Sequence, residues 1–215
     1  MLDTSFARPL YDAGNAAPWP FLALTERVSG AFVAPVVTGR FNDVRALIDA
    51  GIRLIERGAC ALTTTCGFLV RDQRRLQSEF TVPVLDSTLT QFARLQAEVG
   101  SDRRVAILTI HAGALDSSAR AEADIPNDAL RLALPRDSHF VSVILDANVA
   151  LDTVRAERER LALAEACLRK HPYIGRWLFK CANMLPYAFA VSRVTGLPAY
   201  DSLTLGRQLY AMANS

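Results

Sequence analysis

Two cysteines in this chain sit in matched surroundings, and two facing thiols are suited to handing a proton across a carbon atom. Thr65-Cys66-Gly67-Phe68 follows one apolar run, and Lys180-Cys181-Ala182-Asn183 follows another. Pro83 and Pro198 each lie 17 residues beyond their cysteine, and Asp86-Ser87 and Asp201-Ser202 each begin 20 residues beyond it. The match needs no gap and reads as an internal duplication. A cysteine between a strand end and a helix start faces unsatisfied N–H groups, which favour thiolate and lower its pKa. The same N–H groups can hold a carboxylate. A thiolate on one face of a carbon could then take an α-proton while the thiol opposite returns one. Cys60, inside a strand, and Cys167, at an apolar helix position, lack this context and read as ordinary buried thiols.

The elements that must position these thiols alternate along the chain. Val33 to Val37 is a short apolar run broken by Pro35. Apolar spacing predicts a helix over Asn42 to Arg57, capped by Asn42 or Asp43. A strand over Ala59 to Thr64 leads to Cys66, a helix over Gln73 to Phe80 follows, and Val82 to Leu85 is a short strand. Ser87 caps a helix reaching Val99. Arg104 to Ile110 is a strand, Ala112 to Ala123 a helix, Val141 to Leu145 a strand, and Asn148 to Arg169 a long amphipathic helix. Ile174 to Phe179 is the strand before Cys181, followed by a helix over Pro186 to Val194, a strand over Leu197 to Tyr200 and a helix over Thr204 to Met212. This order predicts an α/β protein with parallel sheets in two pseudo-symmetric Rossmann-like lobes, residues 1–88 plus 186–215 and residues 89–185, with the site in the cleft between them. The opening is unusual. Such a sheet usually begins with an apolar strand, and here Phe6 to Pro20 is loop-like, so a very short first strand or a late start is expected.

Composition narrows the function classes. Of the 215 residues, 51% are apolar, enough for a sizeable core. The 24 Lys and Arg nearly balance the 22 Asp and Glu, which leaves no electrostatic footprint for nucleic acid or a membrane surface. The arginines of Arg71 to Arg75 and Arg155 to Arg160 read as solvated helix faces. No apolar run approaches the roughly 18 residues of a membrane span, and no signal-peptide core follows Asp3 and Arg8, so a cytoplasmic protein with free thiols is expected. The chain has no CxxC and its three histidines are scattered, so no metal is expected.

The motifs resemble the cofactor-independent aspartate/glutamate/hydantoin racemase superfamily. Thr64-Thr65-Cys66-Gly67-Phe68 with Val82-Pro83-Val84 is similar to its first cysteine loop. Cys181-Ala182-Asn183-Met184-Leu185-Pro186-Tyr187 with Thr195-Gly196-Leu197-Pro198 is similar to the second. Arg8…Asp12-Ala13-Gly14-Asn15 is similar to an N-terminal loop of one branch. The resemblance implies Cys66 and Cys181 as the acid/base pair, no cofactor, and a small-molecule carboxylate substrate gripped by Asn15, Thr65, Gly67, Phe68, Thr109, Ala182 and Asn183. A homodimer fits the family habit. Two departures stand out: Lys180 where relatives often carry an acid or glycine, and Ala182 where threonine is common. Lys180 is expected to face solvent. Turned inward, it would favour thiolate at Cys181.

The reading is a racemase or epimerase of an amino acid or related carboxylate, with a hydantoin as the next substrate class. A decarboxylase or cis–trans isomerase of a related diacid, and an inactive ligand-binding relative, are the rivals. Arg8 could meet a second carboxylate or simply lie on the surface. Asn15 is also explained by its turn. His111 ends the central strand as a third acid/base or as an exposed residue. Asp86 and Asp201 are expected to cap or brace helices.

Overall fold

The computed structural model describes residues 1–2, 4, 7–37, 41, 43–146 and 150–214. Asp3, Phe6, Asn42 and the start of the long helix expected from Asn148 lie outside them. The described chain forms α1 (Val33–Val37), α2 (Val44–Glu56), β1 (Leu62–Thr63), α3 (Gln73–Glu79), β2 (Val84–Leu85), α4 (Phe92–Val99), β3 (Arg104–Thr109) and α5 (Ser117–Glu122). It continues through β4 (Leu130–Ala133), α6 (His139–Asp146), α7 (Thr153–Lys170), β5 (Ile174–Phe179), α8 (Leu185–Thr195), β6 (Ala199–Tyr200) and α9 (Ser202–Ala213). Every strand pairing is parallel. One sheet is β1-β2 and the other is β4-β3-β5-β6. This is the α/β, two-sheet architecture that the alternation of elements predicts.

Period-two side-chain direction divides the core around the larger sheet. Val105, Ile107 and Leu178 point to one face, where they meet Leu89, Phe92, Leu95, Leu115 and Ala119. Ala106, Leu108, Trp177 and Phe179 point to the other, against Phe140, Val141, Ile144, Ala156, Ala164 and Val191. Both faces are covered, so Val105 to Leu108 of β3 and Trp177 to Phe179 of β5 read as continuous apolar runs. The smaller sheet is braced from its side. Gln77 Oε1 accepts from the Val84 N–H, and Gln73 donates through Nε2 to the Val84 carbonyl and accepts at Oε1 from the Asp86 N–H. Two glutamines of α3 thereby satisfy the free edge of β2.

One expectation needs correction. Val141 to Leu145 is helical and belongs to α6. The Glu159 carboxylate on α7 accepts from the N–H groups of His139 (2.7 Å) and Phe140 (3.1 Å), capping α6 across the core and overriding the strand preference of its β-branched run. The fourth strand of the large sheet is instead Leu130–Ala133, a Leu- and Ala-rich stretch with little strand signal. The short apolar run Val33–Val37 forms a helix. Among the described residues no strand element precedes β1. The segment 186–215 contributes β6, which is hydrogen-bonded to β5, so the lobe boundaries stay a proposal.

Candidate active site

β1 and β5 deliver the two cysteines to one place. Cys66 follows β1, and its N–H donates to Thr64 Oγ1 (3.1 Å), whose hydroxyl donates to the Asp86 carbonyl (2.6 Å). Cys181 follows β5 and opens the turn into α8. The loop after β2 joins both. Ser87 Oγ donates to the Gly67 carbonyl (3.2 Å), and Thr88 Oγ1 donates to the Phe179 carbonyl (2.8 Å). At the crossing the backbones touch, because a Cβ added at Gly67 would overlap the Lys180 carbonyl. Only glycine fits there.

Lys180 corrects the sequence reading most directly. Its side chain is wholly buried, with Nζ 3.3 Å above the Phe68 ring and no hydrogen-bond partner among the described residues. Burial pulls its amine down to about 7, opposed by the neighbouring Cys66 and Cys181. The thiols move the other way. Burial pushes Cys66 up to about 11, against the Phe68 N–H and the charge of Lys180. Burial and the adjacent Cys66 push Cys181 up to about 12. The expectation of thiols with lowered pKa is therefore reversed in the closed, dry site: desolvation outweighs the N–H groups. The outcome is an amine and two thiols in mutual electrostatic reach.

A polar chain holds Cys181. Its Sγ–H donates to Asn183 Oδ1 (3.5 Å), Asn183 Nδ2 donates to Asp12 Oδ2 (2.7 Å), and Asp12 Oδ1 accepts from Arg8 Nη1 (2.7 Å) and the Gly14 N–H (2.8 Å). Arg8 is thereby an internal ion-pair member rather than a surface residue. Asp12 is fully buried and stands at the centre of this chain. An aspartate beside Gly14 and Asn15 was the signal the sequence offered for this role.

The remaining expected site residues divide. Thr65 Oγ1 is buried without a partner, Phe68 lies under Lys180, and Ala182 is buried beside Ala13 and Leu185. Thr109 is buried at the end of β3, where its Oγ1 accepts from the His111 N–H. Asn15 is not among the polar atoms around the thiols. Its Nδ2 donates to the carbonyls of Pro9 and Arg8 and closes the N-terminal loop. His111 is exposed. Cys60 is exposed too, against expectation, whereas Cys167 is buried.

Asp201 forms a capping box on α9 as expected, but Asp86 caps nothing. Arg160 was read as part of a solvated face. It is instead wholly buried on α7, and it and Cys181 lie close enough to shift each other's ionisation. A cavity lined by Leu2, Leu54, Thr65, Leu69 and Phe80 touches neither cysteine. No group of acids, cysteines and histidines among the described residues could hold a metal ion, and no helix there is long and apolar enough to cross a membrane.

No protein-family model matches the chain. In sequence it is similar to a dimethylsulfoniopropionate lyase of Durusdinium sp. clade D, 24% identical over 176 residues, covering 80% of this chain and 56% of that protein. It is also similar to dimethylsulfoniopropionate lyase 6 of Emiliania huxleyi, 28% identical over 181 residues, covering 79% of this chain and 47% of that protein. The chain spans about half the length of the curated relatives it matches. In structure it resembles allantoin racemase from Pseudomonas fluorescens (TM-score 0.58, 16% identical, 79% of this chain and 68% of that chain). It likewise resembles arylmalonate decarboxylase (TM-score 0.54, 15% identical, 97% of this chain and 90% of that chain).

Proposed function

We propose that this chain, which has the fold of the aspartate/glutamate/hydantoin racemase superfamily, is an enzyme that removes a proton from the carbon next to a carboxylate. It does so with Cys66 and Cys181 and without a cofactor. The observation that carries this reading is the placement of two buried thiols in electrostatic reach of one buried, unpartnered lysine. At rest all three groups are neutral at mildly alkaline pH. A substrate carboxylate entering this dry site stabilises the Lys180 ammonium, and the proton it takes is the one Cys66 gives up. The Cys66 thiolate then takes the α-proton. The pair is unequal: Cys66 is beside the lysine, and Cys181 holds its proton toward Asn183.

The similarity to dimethylsulfoniopropionate lyases supports elimination as the outcome. The electron pair of the α C–H bond becomes the Cα=Cβ bond, and the Cβ–S bond breaks with its pair on sulfur. Dimethylsulfoniopropionate would then yield acrylate and dimethyl sulfide, with the proton left on Cys66. The presence of a second, protonated thiol favours the other reading. Return of a proton from Cys181 to the opposite face would racemise or epimerise an amino acid or related carboxylate.

Proton NMR in D₂O separates them, with dimethylsulfoniopropionate, amino acids, hydantoins and substituted malonates offered in turn. Vinyl signals of acrylate mark elimination, α-deuteration with inversion marks racemisation, and carbon dioxide release marks a decarboxylase. Cys66→Ser is expected to abolish either of the first two. Cys181→Ser is expected to abolish racemisation and spare elimination. Turnover that survives Cys66→Ser contradicts the assignment of the base.

A further inference from the structure

Arg160 is built as a receptor, and no described residue fills it. Its guanidinium is clamped between the Phe140 ring, 3.6 Å from the centroid, and the Tyr187 ring, 4.1 Å away. The two rings meet edge to face at 6.0 Å, and the cation sits in the corner they form. Nη1 donates to the Ala156 carbonyl of its own helix. Nε and Nη2 have no hydrogen-bond partner among the described residues, and neither does the Tyr187 hydroxyl beside them.

These free atoms are not a random pair. Nε–H and Nη2–H point in parallel from one edge of the guanidinium, at the spacing of the two oxygens of a carboxylate. The aromatic rings hold the cation by cation–π contact and offer this edge no acceptor. Two buried or part-buried acids of the described core are engaged elsewhere. Glu159 caps α6 through the N–H groups of His139 and Phe140, and Asp12 is held by Arg8, Gly14 and Asn183. Buried polar groups are paired in folded proteins, so a wholly buried fork without a partner marks the place of a ligand. Its electrostatic contact with Cys181 puts that place on the second-cysteine side of the site.

We infer that Arg160 receives the carboxylate of the substrate through Nε and Nη2, with the Tyr187 hydroxyl as a third donor. The ligand class is a small carboxylate, anchored on α7 while its neighbouring carbon faces the thiols. The placement of that carbon rests on the proposed chemistry, but carboxylate capture does not, and the two can fail separately.

Isothermal titration calorimetry with propionate and malonate tests the capture, with propionamide as the uncharged control. Wild type and the double variant Cys66→Ser/Cys181→Ser are expected to bind the acids alike and to ignore the amide. Arg160→Met should weaken binding by about a hundredfold, and Arg160→Lys by about tenfold, because an ammonium cannot present the fork. Tyr187→Phe should weaken it by about tenfold or more, the loss of one hydrogen bond to a charged group. Circular dichroism identifies variants that fold, and Arg160→Lys serves if Arg160→Met does not. Carboxylate binding by a folded Arg160 variant within twofold of wild type overturns the inference, as does wild type that binds neither acid. Carboxylate binding without any α-proton exchange would leave this inference standing and sink the proposed reaction.

Discussion

A lysine buried without a hydrogen bond destabilises the fold unless something uses its charge. Lys180 is held in that state by the Phe68 ring below it and by a backbone crossing at Gly67 that leaves no room for a side chain. Its amine lies at about 7 in the folded chain against 10.5 for the free side chain. The unfolded chain therefore binds more protons between those values, and the Lys180 contribution to stability rises with pH across that window. Lys180→Met keeps the stem and removes the amine. Chemical denaturation from pH 7 to pH 10 should show that rise in wild type and a flatter profile in the variant. Turnover should fall by about a hundredfold, the scale of a lost acid/base partner. Unchanged turnover in a folded variant would confine Lys180 to packing.

At the scale of elements, the two copies of the repeated unit use their matched aspartates differently. Asp201 accepts from the N–H groups of Leu203 and Thr204 and caps α9, so Asp201→Ala should cost about 1 kcal/mol in a denaturation experiment. Asp86 is equally buried, but neither carboxyl oxygen has a partner, and Ser87 does the capping instead. Burial, reinforced by Asp72 and Glu122, holds the Asp86 carboxyl well above the usual range. A raised folded pKa gives stability that is present at low pH and lost as pH rises. Asp86→Asn, neutral at every pH, should therefore stabilise the protein at neutral pH and weaken its decline on going up from pH 4. The duplication that placed both aspartates was legible from spacing, because Cys, Pro and Asp recur at fixed offsets. Their divergence was not, since Asp201 binds the local Leu203 and Thr204 whereas the Asp86 carboxyl meets only the charges of Asp72 and the distant Glu122. The same limit explains α6. Its β-branched run reads as a strand, and only Glu159, presented from α7, turns it into a helix. β3 was legible because nothing interrupts Val105 to Leu108, and β5 because Trp177 to Phe179 lead straight into the second cysteine loop. Lys180 and Arg160 were misread because charged residues are rarely buried alone, which is the prior that a ligand site violates.

Across the whole molecule, the site is assembled from segments distant in sequence. The N-terminal loop reaches Cys181 through Asp12 and Asn183, the loop after β2 stitches the two cysteine loops together, and α7 brings Arg160 to the second thiol. Asp12 is therefore the residue that couples the N-terminal loop to the chemistry. Asp12→Ala leaves Arg8 and Asn183 without their shared acceptor, at about 1–3 kcal/mol of stability by denaturation. It should slow proton return from Cys181 more than proton removal by Cys66, seen as a larger fall in inversion than in α-exchange or elimination. The central claim is that a cysteine of this cleft takes the proton next to a carboxylate. The most direct test follows that proton by NMR in D₂O, with wild type, Cys66→Ser and Cys181→Ser side by side on dimethylsulfoniopropionate and the amino-acid panel. Loss of the α-proton with wild type and none with Cys66→Ser is the predicted result. Equal loss with Cys66→Ser, or none with wild type on any compound, would contradict it.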